Sequence, residues 1–174
     1  MMNGKSISPN SILIRNADVD DIAGIAALVD TCGPYLTRHG AYLYFIYTHC
    51  FGKTCPVAIQ NGAIVGWCST LAVTKRNYYL HQIGIAPEAR GRGVGFALFA
   101  YLLDKLRARR GDDFRLQFTM DRRNLAAHHL NRRVAECFSM HLEKLPQAVP
   151  PLEDGGEEEL YEMTPVKPSL RNTC

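Results

Sequence analysis

Several things are missing from this 174-residue sequence, and each absence narrows what the chain can be. No window approaches 18 uninterrupted apolar residues, so no membrane-spanning helix is expected. The opening residues Met1-Met2-Asn3-Gly4-Lys5-Ser6 lack the apolar run of a signal peptide. There is no C-x-x-C pair; Cys32, Cys50, Cys55, Cys68, Cys137 and Cys174 are dispersed and read as reduced, mostly buried thiols of a cytoplasmic protein without a metal. There is one Trp, no internal repeat, and a net charge of only +3. With 47% hydrophobic residues, that charge excludes disorder as the main state. A chain of this size buries roughly 70% of its unfolded surface and needs no staple.

What is present is unevenly placed. Residues 90–133 hold eleven Lys and Arg against four Asp, a local +7, so the remainder carries −4. A basic centre between acidic ends suits a local anionic ligand better than a nucleic-acid coat, which would add exposed stacking aromatics. The aromatics cluster elsewhere, between Tyr35 and Phe51.

The pattern predicts a mixed α/β (α+β) domain. Residues 11–15 form a first strand, and Asp18 caps a helix whose apolar stripe is Ile22, Ile25, Ala26 and Val29, ended by Gly33-Pro34. An aromatic segment over residues 41–51 has a blurred helical period. Residues 54–59 and 63–73 flank Asn61-Gly62, a strong hairpin signal, and residues 78–86 add a third antiparallel strand. A glycine turn, a helix over residues 96–110 and a strand over residues 114–119 complete a right-handed strand–helix–strand unit. A helix over residues 125–135, a Pro- and acid-rich loop over residues 146–156 and a strand near residues 159–163 follow. One domain over residues 11–165 is expected, with a disordered segment over residues 1–10 and a tail over residues 166–174.

The site signal is Arg90-Gly91-Arg92-Gly93-Val94-Gly95, between a strand and a helix. Glycines let backbone N–H groups approach an anion, and the helix start adds a positive dipole end. A Walker A loop would need Lys-Ser or Lys-Thr after the last glycine, which is absent. A dinucleotide fingerprint needs G-x-G-x-x-G, and the spacing here is G-x-G-x-G.

The segment Ile83-Gly84-Ile85-Ala86-Pro87-Glu88-Ala89-Arg90-Gly91-Arg92-Gly93-Val94-Gly95 resembles motif A of the GCN5-related N-acetyltransferases, Arg/Gln-x-x-Gly-x-Gly/Ala. The resemblance implies the GNAT fold: a mostly antiparallel sheet of six to seven strands with about four helices, splayed at the strand before motif A. It implies acetyl-CoA, with pyrophosphate on the amides of Arg90, Gly91, Arg92, Gly93, Val94 and Gly95. It places pantetheine beside Ile83, Gly84 and Ile85 and near Asn124. The backbone N–H of Ile85 would polarise the thioester. His81 resembles a position used as a base in the family, the alternative being a half-buried strand residue. The family's usual acid, a tyrosine, falls here on Asn131.

A wider resemblance is to the diaminobutyrate acetyltransferases of ectoine biosynthesis. It runs through Cys32-Gly33, Ala41-Tyr42-Leu43-Tyr44, Cys50-Phe51, Thr54-Cys55-Pro56-Val57-Ala58, His81-Gln82-Ile83-Gly84-Ile85 and Glu159-Leu160-Tyr161. It implies an acceptor pocket at Thr37, Arg38, His39, Tyr44, His81 and Gln117. Thr37 and Gln117 stand where that family has carboxylates, and Arg38 and His39 tilt the region toward an anion or a neutral polar group. Diaminobutyrate is therefore predicted to be a poor acceptor. The leading function is acetyl transfer to the amine of a small molecule, an amino acid or related amine. Acetylation of diaminobutyrate itself at its 4-amino group, acetylation of a peptide or protein, and an acyl-CoA-binding module without catalysis are the alternatives. No nucleic-acid or membrane partner is expected; a homodimer is.

Overall fold

The structure is a computed structural model that describes residues 11–150 and 157–166. Residues 1–10, 151–156 and those beyond Val166 lie outside the described residues, and with them the expected N-terminal disorder, most of the expected C-terminal tail and part of the expected acid-rich loop. The chain begins with β1 (Leu13–Asn16). Asp18 then opens a capping box with Asp21, and α1 (Ile22–Thr31) continues from it. The aromatic segment is helical but irregular: α2 (Ala41–Phe45) runs into a wider π-type turn over Ile46–Cys50. That change of pitch explains why no clean 3.6-residue period is visible in the sequence.

β2 (Pro56–Gln60) and β3 (Ala63–Ala72) form the expected hairpin. Its turn holds Asn61 and Gly62 at φ 51° and 78°, the left-handed geometry that Asn-Gly supplies. β4 (Asn77–Ile85) completes the antiparallel meander. α3 (Val94–Arg110) lays Val94, Leu98, Phe99, Leu102, Leu103 and Leu106 into the core and returns the chain to β5 (Arg115–Asp121). β4 and β5 are parallel; every other pairing is antiparallel. α4 (Leu125–Cys137), β6 (Met140–Ala148) and β7 (Glu158–Pro165) complete a seven-stranded sheet in the order β1-β2-β3-β4-β5-β7-β6. β6 had no counterpart in the sequence reading. It lies at the sheet margin and is largely exposed, so its hydrophobic alternation is weak.

Two irregularities in β4 create the cleft. Its pairing with β5 stops at Tyr79↔Gln117, so the strands diverge from Leu80 onward. Opposite β3, Ser69 pairs with Gln82 and Thr70 with Leu80, which leaves His81 as the extra residue of a β-bulge. A bulge re-aims one side chain. Here it turns the His81 ring toward residues 39 and 47.

Candidate functional site

The glycine turn is built as an open amide cradle. Gly91 and Gly93 have φ of +72° and +81°, which L side chains rarely adopt, and a Cβ added at either would meet nothing within 4 Å. The space above them is free for a ligand. Gly93 is the N-cap residue of the 17-residue α3, whose first N–H groups point into that space. Gly95 serves a different need: a Cβ there would lie 3.2 Å from Leu130 Cδ2, so its absence lets α4 pack close to the start of α3.

Two cavities run along this part of the molecule. One, of about 390 Å³, is lined by the loop residues Gly91, Gly93, Val94 and Gly95 and by His129 and Arg133 of α4. The second, of about 260 Å³, lies between residues 32–36, Ile83-Gly84-Ile85 and Asn124. They share Ile85, Arg90, Ala126 and Leu130, which makes them one groove. Arg133 also stacks over the Phe96 ring, its guanidinium carbon 4.9 Å from the centroid, so it is held at the groove mouth. Nothing in the sequence distinguished Arg133 from the other basic residues of α4. The side chain of Arg92 leaves the groove and donates to Gln60 Oε1 at 3.0 Å; only its amide faces the cradle.

The groove follows the open side of β4. The Ala86 N–H donates to Val65 O on β3, so Ile85 and Ile83 direct their own N–H and C=O groups the other way, into the gap. The Ile85 carbonyl there already accepts Arg90 Nε at 3.1 Å and the Cys32 thiol at 3.5 Å. Burial pushes the Cys32 thiol above its ordinary value, so it is a neutral thiol and not a nucleophile. Asn124 lines the same groove while its side chain caps α4 by accepting the Ala127 N–H at 3.1 Å. Asn131 lies in the core, its amide nitrogen bonded to the Ala127 carbonyl and the Met120 sulfur, and it lines neither cavity.

Beyond the groove, where β4 separates from β5, polar side chains gather on one face. His81 stacks on Tyr47 with centroids 5.5 Å apart and lies 5.0 Å from His39. Burial first, then the neighbouring His39, pulls its pKa down to about 4, so the imidazole is neutral at neutral pH. Its Nδ1 is buried without a hydrogen-bond partner among the described residues. Tyr47 is a neutral phenol, pushed up to about 12 mainly by burial. Gln82 fixes the covering loop by donating to the Thr37 carbonyl at 2.8 Å.

Several expected acceptor residues stand differently from the sequence reading. Tyr44 is 0% exposed and offers no surface to an acceptor; its hydroxyl accepts the His39 N–H at 3.2 Å and so shapes the loop. Arg38 carries no free charge to the pocket, because Asp30 neutralises it at 2.7 Å in an exposed ion pair. Thr37 has an exposed side chain and contributes its carbonyl. Gln117 is not a simple neutral replacement: its amide donates to Glu162 Oε2 at 2.9 Å, so a carboxylate stands one strand away. Sequence reading missed Glu162, because its relation to Gln117 depends on β5–β7 register. Asp121 is occupied by Arg123, which holds its carboxyl down to about 2.

Residues 22–135 match the model of the acetyltransferase (GNAT) family. Among curated relatives, the L-2,4-diaminobutyric acid acetyltransferase of Vibrio cholerae is 27% identical over 124 residues, 70% of each chain. That of Marinococcus halophilus is 27% identical over 106 residues, 60% of each. Among solved structures, the diaminobutyrate acetyltransferase EctA from Paenibacillus lautus, in complex with L-2,4-diaminobutyric acid and coenzyme A, superposes with a TM-score of 0.78 at 20% identity, covering 90% of this chain and 96% of that one. The ribosomal-protein-S18-alanine N-acetyltransferase from Escherichia coli gives 0.69 at 19%, covering 94% and 99%.

Proposed function

The chain belongs to the acetyltransferase (GNAT) family, and on that footing we propose that it transfers the acetyl group of acetyl-CoA to the amine of a small acceptor, an amino acid or related amine, by direct attack in a ternary complex. The observation that carries this reading is the single groove from the Gly91–Gly93 cradle past the open N–H of Ile85 to Ile83, two residues along β4 from the bulged His81. It has an anion end and a narrow apolar middle, and the polar cluster around His81 lies beyond it along β4, in the order that diphosphate, pantetheine and acceptor require. The amides of residues 90–95, with Arg133, would hold the phosphates. Ile83 and Ile85 would add the pantetheine arm like a strand.

The bound acetyl-CoA supplies an electrophilic thioester carbonyl. The Ile85 N–H, which faces the gap, would donate to the oxygen of that carbonyl as it gains charge, and needs no side chain for the task. His81 takes the proton. A base with a pKa near 4 cannot strip a free ammonium efficiently, so the acceptor must enter as a neutral amine. Attack forms the C–N bond and makes the nitrogen cationic and far more acidic; the neutral imidazole accepts its proton as the C–S bond breaks and coenzyme A leaves as the thiolate. His39, its ring centroid 5.0 Å away, would pass the proton outward.

A small acceptor is favoured over a peptide by the cover on this face. Cys32 and Leu36 would crowd any Cβ at Gly84 (3.1 and 2.8 Å), Thr37 is tied to Gln82, and His39 and Tyr47 flank His81. The curated diaminobutyric acid acetyltransferases of Vibrio cholerae and Marinococcus halophilus support the same class. The reading also carries a cytoplasmic enzyme, without nucleic-acid or membrane partner, and a homodimer, which its mass in solution tests. The deciding experiment is thiol release from acetyl-CoA against a panel of free amines and peptides. Steady release with a free amine supports small-molecule transfer. Release with peptides alone, or coenzyme A binding without turnover, overturns it.

A further inference from the structure

The basic excess of residues 90–133 is only partly used by the groove. Part of the rest gathers at the opposite end of α3, where Arg109 stands in the last turn, about 24 Å along the helix from Gly93. A separate cavity of about 410 Å³ opens there between β1, the π-type turn and the short turn over Gly52–Thr54. Asn16, His49, Cys50, Lys53 and Arg109 line it, and no Asp or Glu does. It shares no lining residue with the groove, and none of His39, Tyr47 and His81 lines it.

The walls are fixed by close packing. A Cβ at Gly52 would lie 2.7 Å from the Ala17 carbonyl oxygen, so the missing side chain lets the turn seat against the end of β1. The Ala17 N–H donates to the Cys55 carbonyl at 2.9 Å and closes the same junction. Tyr101 donates its hydroxyl to Asn16 Oδ1 at 3.0 Å, which leaves the Asn16 NH₂ as the end with donors to give. Lys105 lies over the Tyr101 ring, 4.8 Å from its centroid, and adds positive charge behind that wall. Thr48 and Thr54 spend their hydroxyl protons on the Tyr44 and Phe51 carbonyls and bring no donor.

What sets this cavity apart is charge without a counter-charge. Elsewhere exposed guanidinium groups are neutralised where they stand: Arg38 by Asp30, Arg76 by Asp113, and Arg107, two residues from Arg109, by Asp112. Lys53 and Arg109 have no hydrogen bond or ion pair among the described residues, and His49 has a ring contact with Phe45. Two uncompensated cations beside an amide donor match a dianion. A phosphate monoester carries close to two negative charges near neutral pH, and its oxygens suit a guanidinium fork and an ammonium together. A carboxylate brings half that charge. The volume exceeds that of a bare phosphate ion, and Phe51 and Ala72 add apolar wall, so room remains for an organic remainder. We propose that this cavity is a second anion site, which takes a small organic phosphate monoester on Arg109, Lys53 and the Asn16 amide. The site stands apart from the acetyltransferase reading and does not depend on it.

Cys50 is exposed and lines the cavity, so its accessibility reports occupancy; Cys137, exposed at the end of α4, is an internal control. The wild-type chain is alkylated with iodoacetamide, an uncharged reagent, and both cysteines are read by peptide mass spectrometry. Phenyl phosphate at about ten times its Kd should slow alkylation of Cys50 about tenfold, since only the empty site reacts. Cys137 should be unaffected. Benzoate, and sodium chloride at matched ionic strength, should leave both thiols unchanged. Arg109→Gln and Lys53→Gln should each raise the phenyl phosphate concentration for half-protection by about tenfold, the loss of one charge-assisted contact. Both side chains are exposed, so neither variant should disturb the fold. Equal protection by benzoate or sodium chloride, equal slowing of Cys137, or an unchanged half-protection point in the folded variants would overturn the proposal. Should a variant fail to fold, the comparison of phenyl phosphate with benzoate on the wild-type chain still decides it.

Discussion

The half of the cleft proposed for the acetyl donor is made from backbone: amides of a glycine turn, the first turn of α3, and N–H groups of Ile83 and Ile85 that face an open gap. The half proposed for the acceptor is made from side chains drawn from residues 37–47, β4, β5 and β7, several of them held by a neighbour from another segment. A backbone site follows from local conformation and tolerates change in most side chains. A side-chain site follows from register and loop packing, so one substitution can redirect its specificity while the donor half is untouched.

Substitutions can break that division, and the largest effect is expected in the donor half. Gly93→Glu places a carboxylate where phosphate would lie, at a residue with φ +81°. It should weaken acetyl-CoA binding by roughly a hundredfold or more, the loss of about 3 kcal/mol of charge-assisted hydrogen bonds. Calorimetry of coenzyme A binding to the folded variant reads this, and retained affinity would remove the cradle assignment. Next comes His81→Ala, which should lower kcat by about a hundredfold, the lower end for a general base, because burial leaves the imidazole weakly basic. Its KM for acetyl-CoA should stay within about twofold if the halves are separable. Equal changes in kcat and in that KM would show that His81 only packs.

Gly84→Ala probes the seam between the halves. Its new Cβ would lie 2.8 Å from Leu36 Cδ2 and 3.1 Å from Cys32 Sγ, both on the loop that covers the groove. Because Leu36 is a flexible contact, a stability cost of at most about 1.5 kcal/mol is expected, with the KM for acetyl-CoA raised several-fold. A thermal melt and steady-state kinetics check the two parts. The smallest effect concerns pH. The folded chain holds His81 neutral down to about pH 4, whereas the unfolded chain protonates it near 6.5. Stability from this residue is therefore complete above 6.5 and is lost as pH falls toward 4. His81→Phe should flatten the dependence of Tm on pH across that window. An unchanged slope would place the acid sensitivity elsewhere.

The same division governed what could be read in the sequence. Asn61-Gly62, the α3 stripe and the glycine turn are local signals, and the hairpin, the helix and the strand–turn–helix appear where those residues stand. The splay before motif A was also foreseen, through resemblance, and Tyr79↔Gln117 marks where it starts. The acceptor side was less legible. Tyr44 and Arg38 are aromatic and basic in the right segment, yet one is consumed by loop packing and the other by Asp30. The Gln117–Glu162 bond joins residues 45 apart, and only sheet register reveals it. The bulge at His81 has no residue-type signature at all.

From Leu80 to Ile85, β4 has a strand neighbour on one side only, although it lies in the middle of a seven-stranded sheet. Exposed strand edges invite pairing with whatever backbone is available, and proteins usually cover them. Here the cover would be the pantetheine arm, so the donor substrate doubles as a missing piece of secondary structure. Ligand bound only by the native state stabilises it by mass action, about 2.7 kcal/mol at a hundred times Kd. Melts with and without coenzyme A would measure this, and equal Tm values would refute it. The lifetime of the fold would then track the supply of acyl donor, without any separate regulatory element.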